Sequence, residues 1–385
     1  MLESIKDTRI TNSKVLVRVD YNVPIINGII SNTTRIEQTF ATINYLLQNN
    51  NTVILVSHFG RPNGKAIEEM SLKIVAQYLR DKFSNCEFIT TPITLSLKEE
   101  LDHKPLGSLI LLENIRFYKE EEANDRVFAK LLSQCGEYYV NDAFACIHRK
   151  HASIDKIKEF LPSYNGLLME KETAELTTFL KHPIRPYAAI IGGSKVSTKL
   201  LLLNNLAKKT DYLLIGGAMA NSFLEFNGYN IGNSLVEKDS FKDLEELYKI
   251  AKEHNCKIII PQDFICATNI NSTSSIVKEL GDEINSYAIF DIGPKTVELF
   301  NEVLKKCTTI VWNGPVGAFE YELFSNGTIH LAKILSKLCK HHDIIVVAGG
   351  GDTIASLDIA LVKQDFSYVS TGGGAFLYWL QTSAV

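Results

Sequence analysis

The sequence predicts an α/β protein with two domains, each built on a doubly wound parallel sheet. Three observations predict it. Short, near-continuous apolar runs alternate with helical patterns from end to end, which suits strands covered by helices on both faces. A length of 385 residues exceeds one comfortable core and suits two domains. A polar helical stretch, Met169–Leu180, is closed by the proline-containing HPIRP and separates two strand-rich halves, so the boundary is expected near residue 170.

Taken in order, the strand candidates of the first half are Val15–Asn22, Thr52–Ser57, Cys86–Thr91, Leu109–Glu113 and Glu137–Asn141. Those of the second half are Tyr187–Ile191, Tyr212–Ile215, Lys257–Pro261, Tyr287–Asp291, Thr309–Trp312 and Asp343–Ala348. Strand–helix alternation implies βαβ units, and therefore parallel pairing throughout. Residues 196–209 are expected as a helix opened by Gly192-Gly193-Ser194-Lys195, and Thr353–Val362 as another.

Composition narrows the function classes. The chain is 45% hydrophobic and 22% charged, an ordinary globular profile. A net charge of −4 argues against nucleic-acid or membrane-surface partners, which want a large basic excess. Seven cysteines show no CxxC or zinc spacing, so reduced thiols in a cytoplasm are expected. The N-terminus lacks an apolar signal region, and no run of about eighteen apolar residues occurs.

The distribution of arginine and glycine says more. All nine arginines fall at or before Arg185, whereas 17 of 23 glycines follow it. Arg35, Arg61, Arg116 and Arg149 lie at or just beyond strand ends or at a helix start. His58 and His148 accompany them, and Asp20 and Asn22 end the first strand. Ligands of doubly wound sheets sit beyond the carboxyl ends of strands. A lone arginine is usually a surface ion pair, but several guanidiniums converging on one crevice repel each other unless an anion holds them. An oxyanion ligand is expected there. Arg18, inside its strand, is expected to have a structural partner.

In the second half, five glycine turns each follow a strand or strand-like run. They are Gly192-Gly193, Gly216-Gly217, Gly314 to Gly317, Gly349 to Gly351 and Gly372 to Gly374. One such turn is ordinary punctuation; five on one sheet argue for a nucleotide polyphosphate lying over several helix N-termini. Lys195 and Lys199, spaced i, i+4, are expected on one helical face, favourable only with an anion present. Asp352 is either a helix N-cap or a ligand for a Mg²⁺ carried by a nucleotide. Glu320 pairs either with a ribose hydroxyl or with a surface lysine. GRPNGK has the wrong spacing for a P-loop, HRK lacks a kinase-loop Asp, and no GxGxxG occurs.

In order along the chain, RVDYNVP, TTRIEQT, SHFGRP, ENIRFY, HRKHAS, GGSKVSTK, WNGPVGAFE, GGGDT and STGGGA resemble the motifs of the phosphoglycerate kinase family, from about residue 5 to 377. The resemblance implies two Rossmann-like lobes joined by a hinge helix: residues 1–168, a nucleotide lobe of 169–367, and a segment 368–385 that is a candidate to return to the first lobe. It implies the glycolytic transfer of a phosphoryl group between 1,3-bisphosphoglycerate and ADP, giving 3-phosphoglycerate and ATP, by a cytoplasmic monomer using Mg²⁺ with ATP or ADP. Asp20, Asn22, Arg35, His58, Arg61, Arg116 and Arg149 would hold the acid. Lys195 and Lys199 would contact the nucleotide phosphates, Glu320 the ribose and Asp352 the Mg²⁺. Gly192, Gly293, Gly349, Gly350, Gly351, Thr353, Gly372 and Gly373 would line the nucleotide path, with Gly216, Gly217 and Pro315 beside the adenine. Arg35, Lys199, Gly350 and Gly373 would act at the transferring group, and hinge closure would bring Arg35 and Lys199 together. Another acyl-phosphate kinase, or a nucleotide-binding protein without turnover, are the alternative readings. The chain departs from the family pattern at Cys146-Ile147, where Thr-Ala is usual, at Thr198 for Asp, at Ala218 for Gly, and at its FLYWLQTSAV end.

Overall fold

Strand β1 (Lys14–Arg18) is the centre of the first sheet, with four of its five residues buried. It is followed by the two-residue strands β2 (Ile25–Ile26) and β3 (Ile29–Ile30), then by β4 (Thr52–Val56), β5 (Cys86–Ile89), β6 (Leu109–Leu112), β7 (Tyr138–Asn141) and β8 (Ser163–Asn165). The sheet order is β5-β6-β4-β1-β7-β8, every pairing parallel, and β2 and β3 form a separate hairpin. Alternate residues enter opposite cores. Val15, Val17, Val53, Leu55, Leu109 and Leu111 join one apolar cluster, while Leu16, Ile54, Ile110 and Leu112 join the other. The period of two explains why these strands read as continuous apolar runs. The coordinates are a computed structural model that describes residues 2–341 and 344–382.

The sequence extends β1 to Asn22, but its ladder ends at Arg18. Val19 N still donates to Val56 O at 3.0 Å. Beyond it a side chain replaces the ladder, with Tyr21 N donating to Ser57 Oγ at 2.8 Å. Asp20 and Asn22 therefore stand past the carboxyl edge of the sheet.

The second sheet contains β9 (Tyr187–Ile191), β10 (Tyr212–Ile215) and β11 (Lys257–Ile259). After these come β12 (Asp263–Ala267), β13 (Ile276–Glu279) and β14 (Ala288–Ile292), and then β15 (Thr309–Asn313), β16 (Ile345–Gly349) and β17 (Tyr368–Ser370). Six of them form a parallel sheet in the order β11-β10-β9-β15-β16-β17. Asp343, expected to start β16, lies outside the described residues. β14 corrects the sequence reading: with β12 and β13 it makes a separate antiparallel sheet, not part of the parallel one. Residues 262–286 contain no crossover helix, and a parallel return needs one, whereas antiparallel strands need only turns.

The chain forms two compact units, Met1–Ala174 and Glu175–Val385, and helix Leu167–Leu180 runs across that boundary. Its start is anchored in the first unit. Asp142 Oδ1 accepts from Leu168 N (2.9 Å) and Met169 N (3.2 Å), and Thr42 Oγ1 accepts from Leu167 N (2.9 Å). A carboxylate at a helix N-terminus complements the dipole. Burial nevertheless pushes the Asp142 carboxyl up to about 6. At the other end of the chain, helix Gly374–Thr382 packs on helix Leu200–Ala207, and β17 completes the second sheet. Among the described residues no helix is long and apolar enough to cross a membrane.

Candidate active site

Strand order reverses at β1 in the first sheet, and the turns after β1, β4, β6 and β7 leave from one sheet edge. Such an edge is where doubly wound folds bind ligands. Asp20 follows β1, His58 follows β4, Arg116 follows β6 and Arg149 lies in the loop after β7. Arg35, on the short helix Thr34–Glu37, donates from its NH1 to Asp20 Oδ2 and to Asn22 O, both at 3.0 Å. Asn22 Oδ1 accepts from Gly60 N at 2.9 Å, and Arg116 NH1 donates to Gly60 O at 2.8 Å. Gly60 thus ties the β1 and β6 turns together, immediately before the exposed Arg61.

The electrostatics of this edge favour an anion. His58 is buried, and its imidazole is held well below its usual range, first by burial and then by Arg18, Arg116, Arg149 and Arg35. A neutral ring is what four nearby guanidiniums permit. Arg18 has the expected structural partners: its Nε donates to Ser153 Oγ at 2.8 Å, and Ser153 Oγ donates to the buried Glu121 at 2.6 Å. Arg149 is half-buried and makes no side-chain hydrogen bond or ion pair among the described residues. Asp20, His58 and Cys146 also bring possible metal-ligand atoms within 4.8 Å of one another. The same guanidinium field that keeps His58 neutral opposes a cation there, so the edge suits an anion better than a metal ion.

In the second sheet the strand order reverses at β9, whose partner across the switch is β15. All five glycine turns leave from the carboxyl ends of β9, β10, β15, β16 and β17. Lys199 Nζ sits at the switch and donates to Gly192 O and Asn313 Oδ1, each at 2.7 Å. Burial pushes its ammonium down to about 8, with Asp352 opposing. Asn313 Nδ2 donates to Gly349 O at 2.6 Å, and the buried Thr353 Oγ1 accepts from Gly314 N at 2.7 Å, so three turns are laced together. Glycine is required by this crowding: a Cβ on Gly192 would lie 1.9 Å from Pro315 O. Gly350, at φ +109°, would place one 2.6 Å from Asn313 Nδ2.

Beside these turns is a cavity of about 640 Å³, lined by Gly193, Gly217, Pro315, Glu320 and Asp352 among others. Glu320 and Asp352 are exposed. Asp352 lies in the first turn of helix Gly351–Ile359, for which Gly350 is the N-cap, so the capping reading of Asp352 fails. A free carboxylate beside a phosphate-type turn is a donor suited to Mg²⁺, which takes one or two carboxylates plus phosphate oxygens.

One expectation is corrected. Lys195 and Lys199 do not share a helical face: Lys195 is an exposed loop residue, Lys199 ends the 3₁₀ turn Ser197–Lys199, and the α-helix starts at Leu200. The glycines at 192 and 193 hold the backbone against β15, which delays the helix. Gly293 caps helix Pro294–Leu304 after the antiparallel β14, and its α-carbon faces Asp263, where a Cβ would lie 2.3 Å from the carboxyl carbon. Gly216, Gly351, Gly372 and Gly373 stand in the turns as expected, Gly372 N donating to Ser370 Oγ at 3.2 Å. Sequence reasoning missed the apolar wall of the cavity: Leu224, Leu235, Phe264 and Ile289, with Asn221. The one available signal was the i, i+3 spacing of Asn221 and Leu224.

Comparison with known proteins agrees with this fold. A family model, phosphoglycerate kinase, matches residues 5–383. The chain is 42% identical to the phosphoglycerate kinase of Wolbachia pipientis subsp. Culex pipiens (strain wPip), over 98% of this chain and 96% of that one. It is 44% identical to that of Finegoldia magna, over 98% and 96%. The solved structure of phosphoglycerate kinase from Coxiella burnetii superposes with a TM-score of 0.87 at 37% identity, covering 99% of this chain and 96% of that one. Similarity in sequence and fold over nearly the whole chain, with arginines gathered at the edge of one parallel sheet and glycine turns on the other, places this chain in the phosphoglycerate kinase family.

Proposed function

We propose that this chain transfers a phosphoryl group reversibly between the acyl phosphate of 1,3-bisphosphoglycerate and ADP. The first unit holds the acid and the second the nucleotide. The observation that carries the acid assignment is the placing of Asp20, His58, Arg116 and Arg149 past the carboxyl ends of strands of one sheet, with Arg35 bonded to Asp20. In the direction of ATP use, a carboxylate oxygen of 3-phosphoglycerate forms the new P–O bond as the bond to the β-phosphate oxygen breaks. The attacking carboxylate carries no proton, so no catalytic base is needed. The protein's task is positioning and positive charge around the three equatorial oxygens.

Asp20, Asn22, His58, Arg61, Arg116 and Arg149 bind and orient the acid, and Arg35 and Lys199 stabilise the charge on the transferring group. Gly350 and Gly373 offer backbone N–H groups along the phosphate path, and Glu320 takes a ribose hydroxyl. Asp352 would hold Mg²⁺, which when bound with the nucleotide neutralises phosphate charge. The protein acts as a monomer in the cytoplasm; its seven unpaired thiols support a reducing compartment.

A coupled assay with 3-phosphoglycerate and Mg-ATP, run beside acetate and carbamate, tests the reading. Turnover only with 3-phosphoglycerate is expected. Turnover with another acid would make the chain a different acyl-phosphate kinase. ATP binding without turnover would make it a nucleotide-binding protein on the same fold.

A further inference from the structure

Glu121 lies on the short helix Lys119–Glu122, just after the Arg116 turn, and is wholly buried. Its carboxylate faces the loop that carries Arg149. Oε2 accepts from Ser153 N at 2.8 Å and Oε1 from Ser153 Oγ at 2.6 Å, while Arg18 Nε donates to the same Oγ at 2.8 Å. The backbone oxygen of Glu121 accepts from Ala152 N at 2.9 Å, and His151 Nδ1 lies 3.7 Å from Oε1. Burial alone would raise this carboxyl, but His151, Arg18 and Ser153 more than offset it and hold the group below its ordinary range.

Arg149 has no anchor of that kind. Its guanidinium makes no side-chain hydrogen bond or ion pair among the described residues. It is nevertheless close enough to His58 and Arg116 to disfavour a proton on each. The aim of the side chain is therefore set by the backbone that carries it. On one flank Arg149 N donates to Cys146 O at 2.9 Å. On the other, Glu121 holds Ala152 and Ser153, and Tyr139 Oη adds a bond to Ser153 O at 2.8 Å.

We propose that Glu121 is a positioning residue for acid binding: by holding Ala152 and Ser153 it keeps Arg149 aimed at the substrate. The inference rests on the acid assignment above. A carboxylate behind a cationic edge is also a counter-charge, and the two roles predict opposite signs. Removing a counter-charge leaves the edge more positive and tightens an anion. Releasing the loop misplaces Arg149 and loosens it.

Steady-state kinetics on Glu121→Asp and Glu121→Gln separate the two roles. Aspartate keeps the charge but is one methylene shorter, so it cannot reach both Ser153 N and Oγ. Glutamine keeps the reach and loses the charge. The KM for 3-phosphoglycerate should rise about tenfold in Glu121→Asp and less than about threefold in Glu121→Gln. In both, kcat should stay within about twofold and the KM for Mg-ATP should not move. An unchanged KM for the acid in Glu121→Asp, or a lowered one in Glu121→Gln, would overturn the inference and leave the acid assignment standing. If neither variant folds, Ser153→Ala decides: the same KM should rise about threefold or more, and a change within about twofold overturns the inference. Failure of the unsubstituted chain to turn over 3-phosphoglycerate would overturn both.

Discussion

Lys199 Nζ lies 2.7 Å from Asn313 Oδ1, bridging the switch point between β9 and β15 with a hydrogen bond from a half-buried lysine. Asn313 is in turn fixed by its bond to Gly349 O. One lysine thus reports on the arrangement of three glycine turns, and several expectations derive from it.

Lys199 should make nucleotide binding pH-dependent. Its folded pKa, near 8, is depressed below the ordinary 10.5, so the folded chain loses this proton first. ADP affinity should therefore fall by about tenfold between pH 8 and 9.5, and Lys199→Arg should flatten the profile because guanidinium stays charged. Stability carries the opposite sign: over pH 8 to 10.5 the unfolded chain binds the extra proton, so the cost of burying this charge is relieved as pH rises. ADP titrations at stepped pH check the first point, and denaturant melts check the second.

Arg35 bonds Asp20 Oδ2 and Asn22 O, so its guanidinium is positioned before any ligand arrives. Arg35→Ala should lower turnover of 3-phosphoglycerate by about a hundredfold. Steady-state kinetics retaining turnover within about threefold would remove Arg35 from the transferring group.

Gly192 faces Pro315 O so closely that an added Cβ has no room. Gly192→Ala should cost about 1–3 kcal/mol of stability through forced separation of β9 from the β15 turn. It should also weaken ADP, because Lys199 loses its Gly192 O partner. Thermal melts and ADP titration on the same preparation measure both.

Asp352 is exposed in the first turn of its helix, so Asp352→Asn should leave the melting temperature nearly unchanged. It should raise the Mg²⁺ concentration needed for half-maximal turnover by about tenfold. Chelating Mg²⁺ should abolish turnover of the unsubstituted chain. An unshifted Mg²⁺ titration would assign the metal to other ligands.

The parts of this protein legible in the sequence share a physical cause. Strands such as Thr52–Val56 and Tyr187–Ile191 are buried on both faces, so their apolar runs announce them. Asp20, His58, Arg116, Gly217 and Asp352 were legible because each stands just past such a strand. β14 was not, because its apolar run reads like that of a parallel strand while its partners are set by the hairpin before it. The Lys195–Lys199 turn misled for a related reason: local spacing favours a helix, but the tight approach of Gly192 to Pro315 holds the chain out of it.

By itself the sequence determined the two parallel sheets, the arginine-rich first half, the glycine-rich second half and the turns that carry the chemistry. Period, polarity and backbone freedom are local properties, and a chain carries them wherever it folds. Only the tertiary structure decided that Arg18 serves Ser153 and Glu121 while Arg149 has no such partner among the described residues. It also decided that Lys199 is sunk among carbonyl oxygens. Those facts depend on which distant groups meet and how much water is excluded, and neither is written in the spacing of residues.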